Sequence, residues 1–175
     1  MDKKTELKLT LAFTLIYLIF FILLAIIRRN YEFLFCIAVI CLLIIVIGFY
    51  HKELHLKPLI VIGLSVLGFM HVAGGNLYFN GIRLYDIYIF QDLIRYDQIV
   101  YTFGFFIATF VGYNLLKPYL DPRIKHHPLI LFILLVLIAT GIGAINEILE
   151  FAAVLFLGGS KASWGLLQQC MGLGF

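Results

Sequence analysis

Five long apolar stretches separated by short polar segments make up most of this chain. The first runs from about Leu9 to Ile27 and the second from about Tyr31 to Phe49, with only Arg28, Arg29 and Asn30 between them. So short a link predicts a tight helical hairpin. Pro58 suits the first turn of a helix. The third stretch continues from it to Gly75, where Gly74, Gly75 and Asn76 break the pattern. The fourth covers about Tyr96 to Leu116 and is closed by Lys117 and Pro118; the fifth starts at Pro128 and continues past Glu150 to about Leu157. These lengths approach or exceed the ~20 residues that carry a helix across ~30 Å of hydrocarbon. The alternation of a membrane barrel is absent. The pattern therefore predicts an all-α polytopic transmembrane helix bundle of about five spans, a single domain over residues 1–175. The fifth helix outruns the bilayer core, so it is expected to tilt, to break at Gly141 and Gly143, or to protrude.

From Asn76 to Arg95 the pattern changes. Tyr78, Phe79, Tyr85, Tyr88 and Phe90 are interleaved with Asn80, Arg83, Asp86, Gln91 and Asp92. Aromatic and polar residues mixed in this way favour the membrane–water boundary, where Tyr rings anchor. An ordered interfacial loop with a short helix is expected, in which Arg83, Asp86, Asp92 and Arg95 pair with one another. Residues 158–175, with Trp164, Gln168 and Gln169, form an irregular, glycine-interrupted tail.

Composition strengthens the membrane reading. The chain is 63% hydrophobic and 13% charged, against about 45–50% apolar residues in soluble domains. The net charge of +3 sits in loops beside the spans, which is a topology signal and not a nucleic-acid footprint. The N-terminal segment and the loops after spans two and four carry 8 Lys and Arg residues, against 5 on the opposite side. That bias predicts a cytoplasmic N-terminus for a multi-pass protein of the cell membrane, with membrane lipid as its standing partner. Arg28 and Arg29 follow the first apolar run where a small-residue cleavage site would lie, so a retained helix is expected in place of a cleaved signal. Cys36, Cys41 and Cys170 form no CxxC pair and are read as packing residues.

The candidate chemistry is a set of polar residues inside or at the edges of the spans. Asp97, Tyr101, Gly104, Ala108 and Gly112 advance by three or four residues and so share one helical face. Gly68, His71 and Gly75 repeat that arrangement in the third span, and Thr140, Gly143, Glu147 and Glu150, with Asn146 alongside, in the fifth. Small residues at this spacing let helix backbones approach closely. With a cytoplasmic N-terminus, His71 lies about 20 Å along its helix, Asp97 and Tyr101 within the first two turns of theirs, and Asn146 to Glu150 about 27–33 Å along the fifth. All of them then fall towards the extracytoplasmic side. An ionisable group in hydrocarbon costs at least a few kcal/mol and is rarely kept without a partner or a task.

Two readings follow. In one, His71, Asp97, Tyr101, Asn146, Glu147 and Glu150 line a polar cavity that binds a ligand, with Glu147, His71 and Asp97 the candidates for any catalytic role. In the other, Asp97 and Glu150 sit in the interfacial zone while His71 and Asn146 are interhelical hydrogen-bond glue. No metal and no cofactor is assigned. His51 and His55, and likewise His126 and His127, are read as loop residues at the headgroups. No Walker loop, nucleophile elbow, HExxH or CxxC is present.

His71-Val-Ala-Gly-Gly75, then Arg95-Tyr-Asp-Gln-Ile-Val-Tyr101 leading into Phe103-Gly-Phe105, then Asn146-Glu-Ile-Leu-Glu-Phe151 resemble the YjdF-type family of uncharacterised multi-pass inner-membrane proteins. The resemblance covers about His71 to Phe151, and the N-terminal hairpin matches in hydropathy alone. It implies that His71, Asp97 and Glu147 with Glu150 stand at the family's characteristic polar positions, and it brings no established activity. Family members usually carry His where Tyr101 stands, which removes a good metal ligand here. The family pattern also continues after the fifth span with a Gly-, Asn- and Asp-containing stretch that opens another helix, so a truncated or frame-altered C-terminus is expected. The function predicted is a membrane protein of unknown biochemical activity with a polar extracytoplasmic-side cavity for a small-molecule or lipid ligand. The alternatives are an intramembrane or interfacial enzyme acting on lipid headgroups, an ion- or proton-coupled transporter, and a structural scaffold.

Overall fold

The computed structural model describes residues 2–49, 57–90, 93–121 and 127–157, the side chains at 3, 32, 90, 150 and 153–157 excepted. His51, His55, His126, Gln91, Asp92 and the tail with Trp164, Gln168, Gln169 and Cys170 lie outside the described residues. The fold is the all-α membrane bundle that the hydropathy pattern predicts. Its helices are α1 (Lys3–Ile27), α2 (Tyr31–Phe49), α3 (Pro58–Asn76), α4 (Tyr96–Leu116) and α5 (Pro128–Leu157). Within α1, α3, α4 and α5 the stretches Lys4–Ile27, Pro58–Asn76, Tyr96–Leu116 and Pro128–Leu149 are long and apolar enough to cross a membrane. The described apolar part of α2, Phe33–Phe49, is shorter. No break occurs at Gly141 or Gly143: α5 is one helix of 30 residues, about 45 Å long.

Helix α3 occupies the middle. It packs on α1, α2 and α4, while α5 lies against α4 and α2. Lipid tails are as apolar as leucine, so close packing and interhelical hydrogen bonds must hold the helices together. Both are present. Tyr17, Leu18, Phe21 and Ala25 of α1, Ile37 of α2, and Val72 and Ala73 of α3 form one buried cluster. Below it the hydroxyls of Thr14 and Ser65 share a buried hydrogen bond of 2.6 Å between α1 and α3. The α4–α5 contact is reciprocal. Ile138 of α5 fills the space a Cβ would take at Gly112 of α4, and Phe105 of α4 does the same at Gly143 of α5. A third close approach sits near the end of α3, where the Phe33 ring of α2 occupies the place of a side chain at Gly75.

The segment joining α3 to α4 is an ordered cap of two antiparallel strand pairs around a 3-10 turn at Leu84–Asp86. Strands β1 (Tyr78–Phe79) and β2 (Ile82–Arg83) pair Tyr78 with Arg83 and Phe79 with Ile82. Their two-residue link, Asn80-Gly81, has φ of 51° and 81°, the doubly left-handed geometry of a type I′ hairpin turn that Asn-Gly favours. Strands β3 (Tyr88–Phe90) and β4 (Ile94–Arg95) pair with an irregular register. The hairpins are closed by the Leu84 N–H donating to the Leu77 carbonyl (2.9 Å) and the Tyr96 N–H to the Ile87 carbonyl (3.0 Å).

The Gly75–Phe33 approach makes a direct prediction. Gly75→Ala should destabilise the bundle by about 1–3 kcal/mol, the usual cost of overpacking. In a Phe33→Ala background the same change should cost measurably less, because the obstructing ring is gone. Thermal unfolding of both pairs in detergent checks this; equal costs in the two backgrounds would show that the residues do not meet.

Candidate functional site at the capped end of the bundle

The capped end is organised by the α1–α2 turn. Helix α1 closes with Arg29 in the left-handed region (φ 53°). The Arg29 N–H donates to the Ile26 carbonyl (3.1 Å) and the Asn30 N–H to the Ala25 carbonyl (2.9 Å), the paired bonds of a Schellman ending. This sharp stop turns Arg28 and Asn30 towards the end of α3. Arg28 donates from Nη1 to the Asn76 carbonyl (2.6 Å), and Asn30 donates from Nδ2 to the Gly75 carbonyl (3.2 Å) and to Asn76 Oδ1 (3.4 Å). Asn76 is fully buried, and its own amide donates back to the Val72 carbonyl at 3.0 Å. The last carbonyls of a helix have no partner within it, and here side chains of the neighbouring turn supply the donors.

His71 lies one turn before this network. Its Nδ1 and the Tyr85 hydroxyl are 2.6 Å apart, with the donor set by the imidazole tautomer. The rings of Phe33, Tyr85 and His71 surround one another at centroid distances of 5.8–5.9 Å. Gly74 admits the cap: a Cβ there would come within 3.0 Å of the Tyr85 and Tyr96 rings. The Tyr96 hydroxyl donates to the Met70 carbonyl at 3.0 Å, fixing the start of α4 to α3.

The other expected site residues have different surroundings. Asp97 lies in the first turn of α4. Its Oδ1 accepts the Gln98 N–H (2.7 Å), and its Oδ2 is 3.4 Å from Arg95 Nη2. Tyr101 and Asn146 are half-buried, and neither lacks a partner. Glu147 is exposed on α5, and the Glu150 side chain is not among those described. Among the described residues no three His, Cys, Asp or Glu side chains come together as metal ligands. Arg95 pairs with Asp97, while Arg83 turns to aromatic partners: its guanidinium stands 5.3 Å from the Phe33 ring centroid and 5.9 Å from that of Tyr78.

Residues 9–171 match a family described as predicted membrane protein, DUF2238. The chain belongs to this family. The YjdF-type resemblance carried by His71-Val-Ala-Gly-Gly75 and the Arg-Tyr-Asp and Asn-Glu-x-x-Glu-Phe segments is of this kind. No curated protein and no solved structure is significantly similar to the chain. The DUF2238 match takes in the whole cap and every helix except the first turns of α1. The capped end holds several residues that sequence reasoning passed over. Asn76 reads as a helix breaker and Arg28 as a topology charge, yet they meet. Tyr85 and Arg83 read as interfacial anchors, yet one holds His71 and the other covers Phe33.

Two substitutions separate the contributions at this end. Tyr85→Phe leaves a half-buried imidazole nitrogen without its partner and should cost about 1–3 kcal/mol. Asp97→Asn removes an ion pair whose side chains are 35% and 24% exposed, and should cost about 1 kcal/mol or less. Unfolding midpoints in detergent measure both, and a larger loss for Asp97→Asn would reverse the ranking.

Proposed function

We propose that this DUF2238 protein binds an amphiphilic, lipid-like ligand at the capped end of its bundle. The observation that carries the reading is His71: an imidazole in a membrane-spanning helix whose hydrogen-bond partner, Tyr85, comes from the cap and not from a neighbouring span. An ionisable group at such a depth is a functional-site candidate by default, and a partner on a short 3-10 turn is one that a ligand can displace. His71 and Tyr85 form the polar anchor. Tyr101, Asn146, Glu147 and Glu150 belong to the α4 and α5 side of the same end, and Asp97 contributes through Arg95. Catalysis would also ask for an acid or base placed on the proton it transfers, whereas binding asks only for the anchor; Asp97 is engaged with Arg95 and the Gln98 N–H. The Lys and Arg bias supports a cell-membrane protein with a cytoplasmic N-terminus and the cap on the opposite face.

Mass spectrometry of the organic extract of purified protein tests the ligand. An amphiphile should accompany the wild-type chain and fall at least about tenfold in His71→Asn, the loss of one good polar anchor. The same species in the same amount in both proteins would sink the reading. For orientation, a reporter fused at the N-terminus should be active only as a cytoplasmic fusion, and activity on the other face would invert the assignment.

A further inference from the structure

Among the described residues, the guanidinium groups of Arg28 and Arg83 at the capped end have no carboxylate partner. Among the described residues, the ion pair there is Arg95 with Asp97. Arg28 and Arg83 are held differently, by aromatic rings: their Cζ atoms stand 5.2 Å and 5.9 Å from the Tyr78 centroid they share, and Arg83 lies closer still to Phe33, at 5.3 Å. One donor of each is used to fix it in place, Arg28 Nη1 on the Asn76 carbonyl (2.6 Å) and Arg83 Nε on the Tyr78 hydroxyl (3.3 Å). A guanidinium has five N–H donors in a rigid fork, so each keeps most of them available. Stacking on an aromatic face leaves the edge of the fork open, the arrangement by which arginine takes phosphate oxygens in two parallel bonds. Asp86, the described carboxylate of the 3-10 turn, is exposed, and Arg29 adds a further positive charge beside Arg28.

The position gives the anion its identity. Tyr78 and Phe79 are exposed at the end of a membrane bundle, at the level where aromatic side chains meet lipid headgroups. An arginine fork at that level meets the phosphate oxygens of lipid headgroups. The geometry points to Arg28 and Arg83 as a clamp on Tyr78 for a net-anionic phosphate group, carried by a membrane lipid. The inference rests on the capped end as a lipid-binding site and names the headgroup that it selects.

The test uses the full chain in detergent, offered equal amounts of phosphatidylglycerol and phosphatidylcholine and read by native mass spectrometry. Wild-type protein should retain phosphatidylglycerol preferentially. Arg83→Gln and Arg28→Gln should each reduce that preference about fivefold, the effect of one basic residue at a membrane surface. Lys117→Gln, a change of equal charge at the end of α4 away from the cap, should leave it intact. Arg28 also holds the end of α3, so Arg83→Gln, in a surface hairpin, is the decisive variant if Arg28→Gln fails to fold. An unchanged preference in Arg83→Gln, or none in the wild type, overturns the assignment. Retention of neither lipid overturns the reading of the site as well, whereas retention without preference overturns the arginine clamp alone. Displacement of the lipid by millimolar inorganic phosphate would support the phosphate clamp, and retention of inorganic phosphate with neither lipid would overturn the lipid as its source.

Discussion

Backbone carbonyls at the end of α3 have to be paired, and that requirement shapes everything at the capped end. A polar group buried inside the bundle, as Asn76 is, has no water to fall back on, and a helix terminus presents several at once. The solution is lateral. The α1–α2 turn sends Arg28 and Asn30 across to the carbonyls of Asn76 and Gly75, while Leu77 closes onto Ala73 in line with the helix. A cation at a helix C-terminus is also favoured by the helix dipole. With the end of α3 fixed in this way, Phe33 lies against Gly75, Tyr85 reaches His71, and Tyr96 starts α4 from a bond to Met70. The cap follows from the helix end, not the reverse.

The helices differ in how much protein they touch, which accounts for where chemistry can sit. Helix α3 is the most covered of the long spans and α5 the least. A central helix must bring small residues to its neighbours, and α3 does so with Gly63, Gly68, Gly74 and Gly75. An outer helix facing lipid needs apolar bulk, which Leu129, Phe132, Leu137, Ile145 and Ile148 provide. Polar groups near α3 can be held at fixed distances by several elements, and His71 is so held. Glu147, exposed on α5, has fewer neighbours to fix it.

The bundle itself was legible because hydropathy over some twenty residues is a strong signal in a bilayer protein. The cap was legible only as an aromatic, polar interface. Its first strand pair carried a readable mark, Asn80-Gly81 between Phe79 and Ile82, which is a strong short-range hairpin signal. The second pair had none, since strands of two or three residues with an irregular register leave no periodicity to detect. At the site, helical spacing set His71 on one face with Gly68 and Gly75 but could not name Tyr85 as its hydrogen-bond partner, because a contact between a helix and a turn has no period. Asp97 shows the limit from the other side. Spacing set it on one face with Tyr101 and Gly104 in the first turns of α4, but a face shared along a helix does not reveal that the preceding Arg95 reaches it directly.

The reach of Arg28 has a consequence for assembly. Its partner Asn76 is 48 residues further along the chain, beyond the whole of α2 and most of α3. The α1–α2 turn is therefore incomplete until the third helix is made and delivers its terminal carbonyls to Arg28 and Asn30. The turn works as a latch that the first two helices carry open and the third one closes. Insertion order and final structure are thereby joined at one point: a chain whose third span entered in the wrong direction would leave two polar side chains, and the end of a helix, without their counterparts.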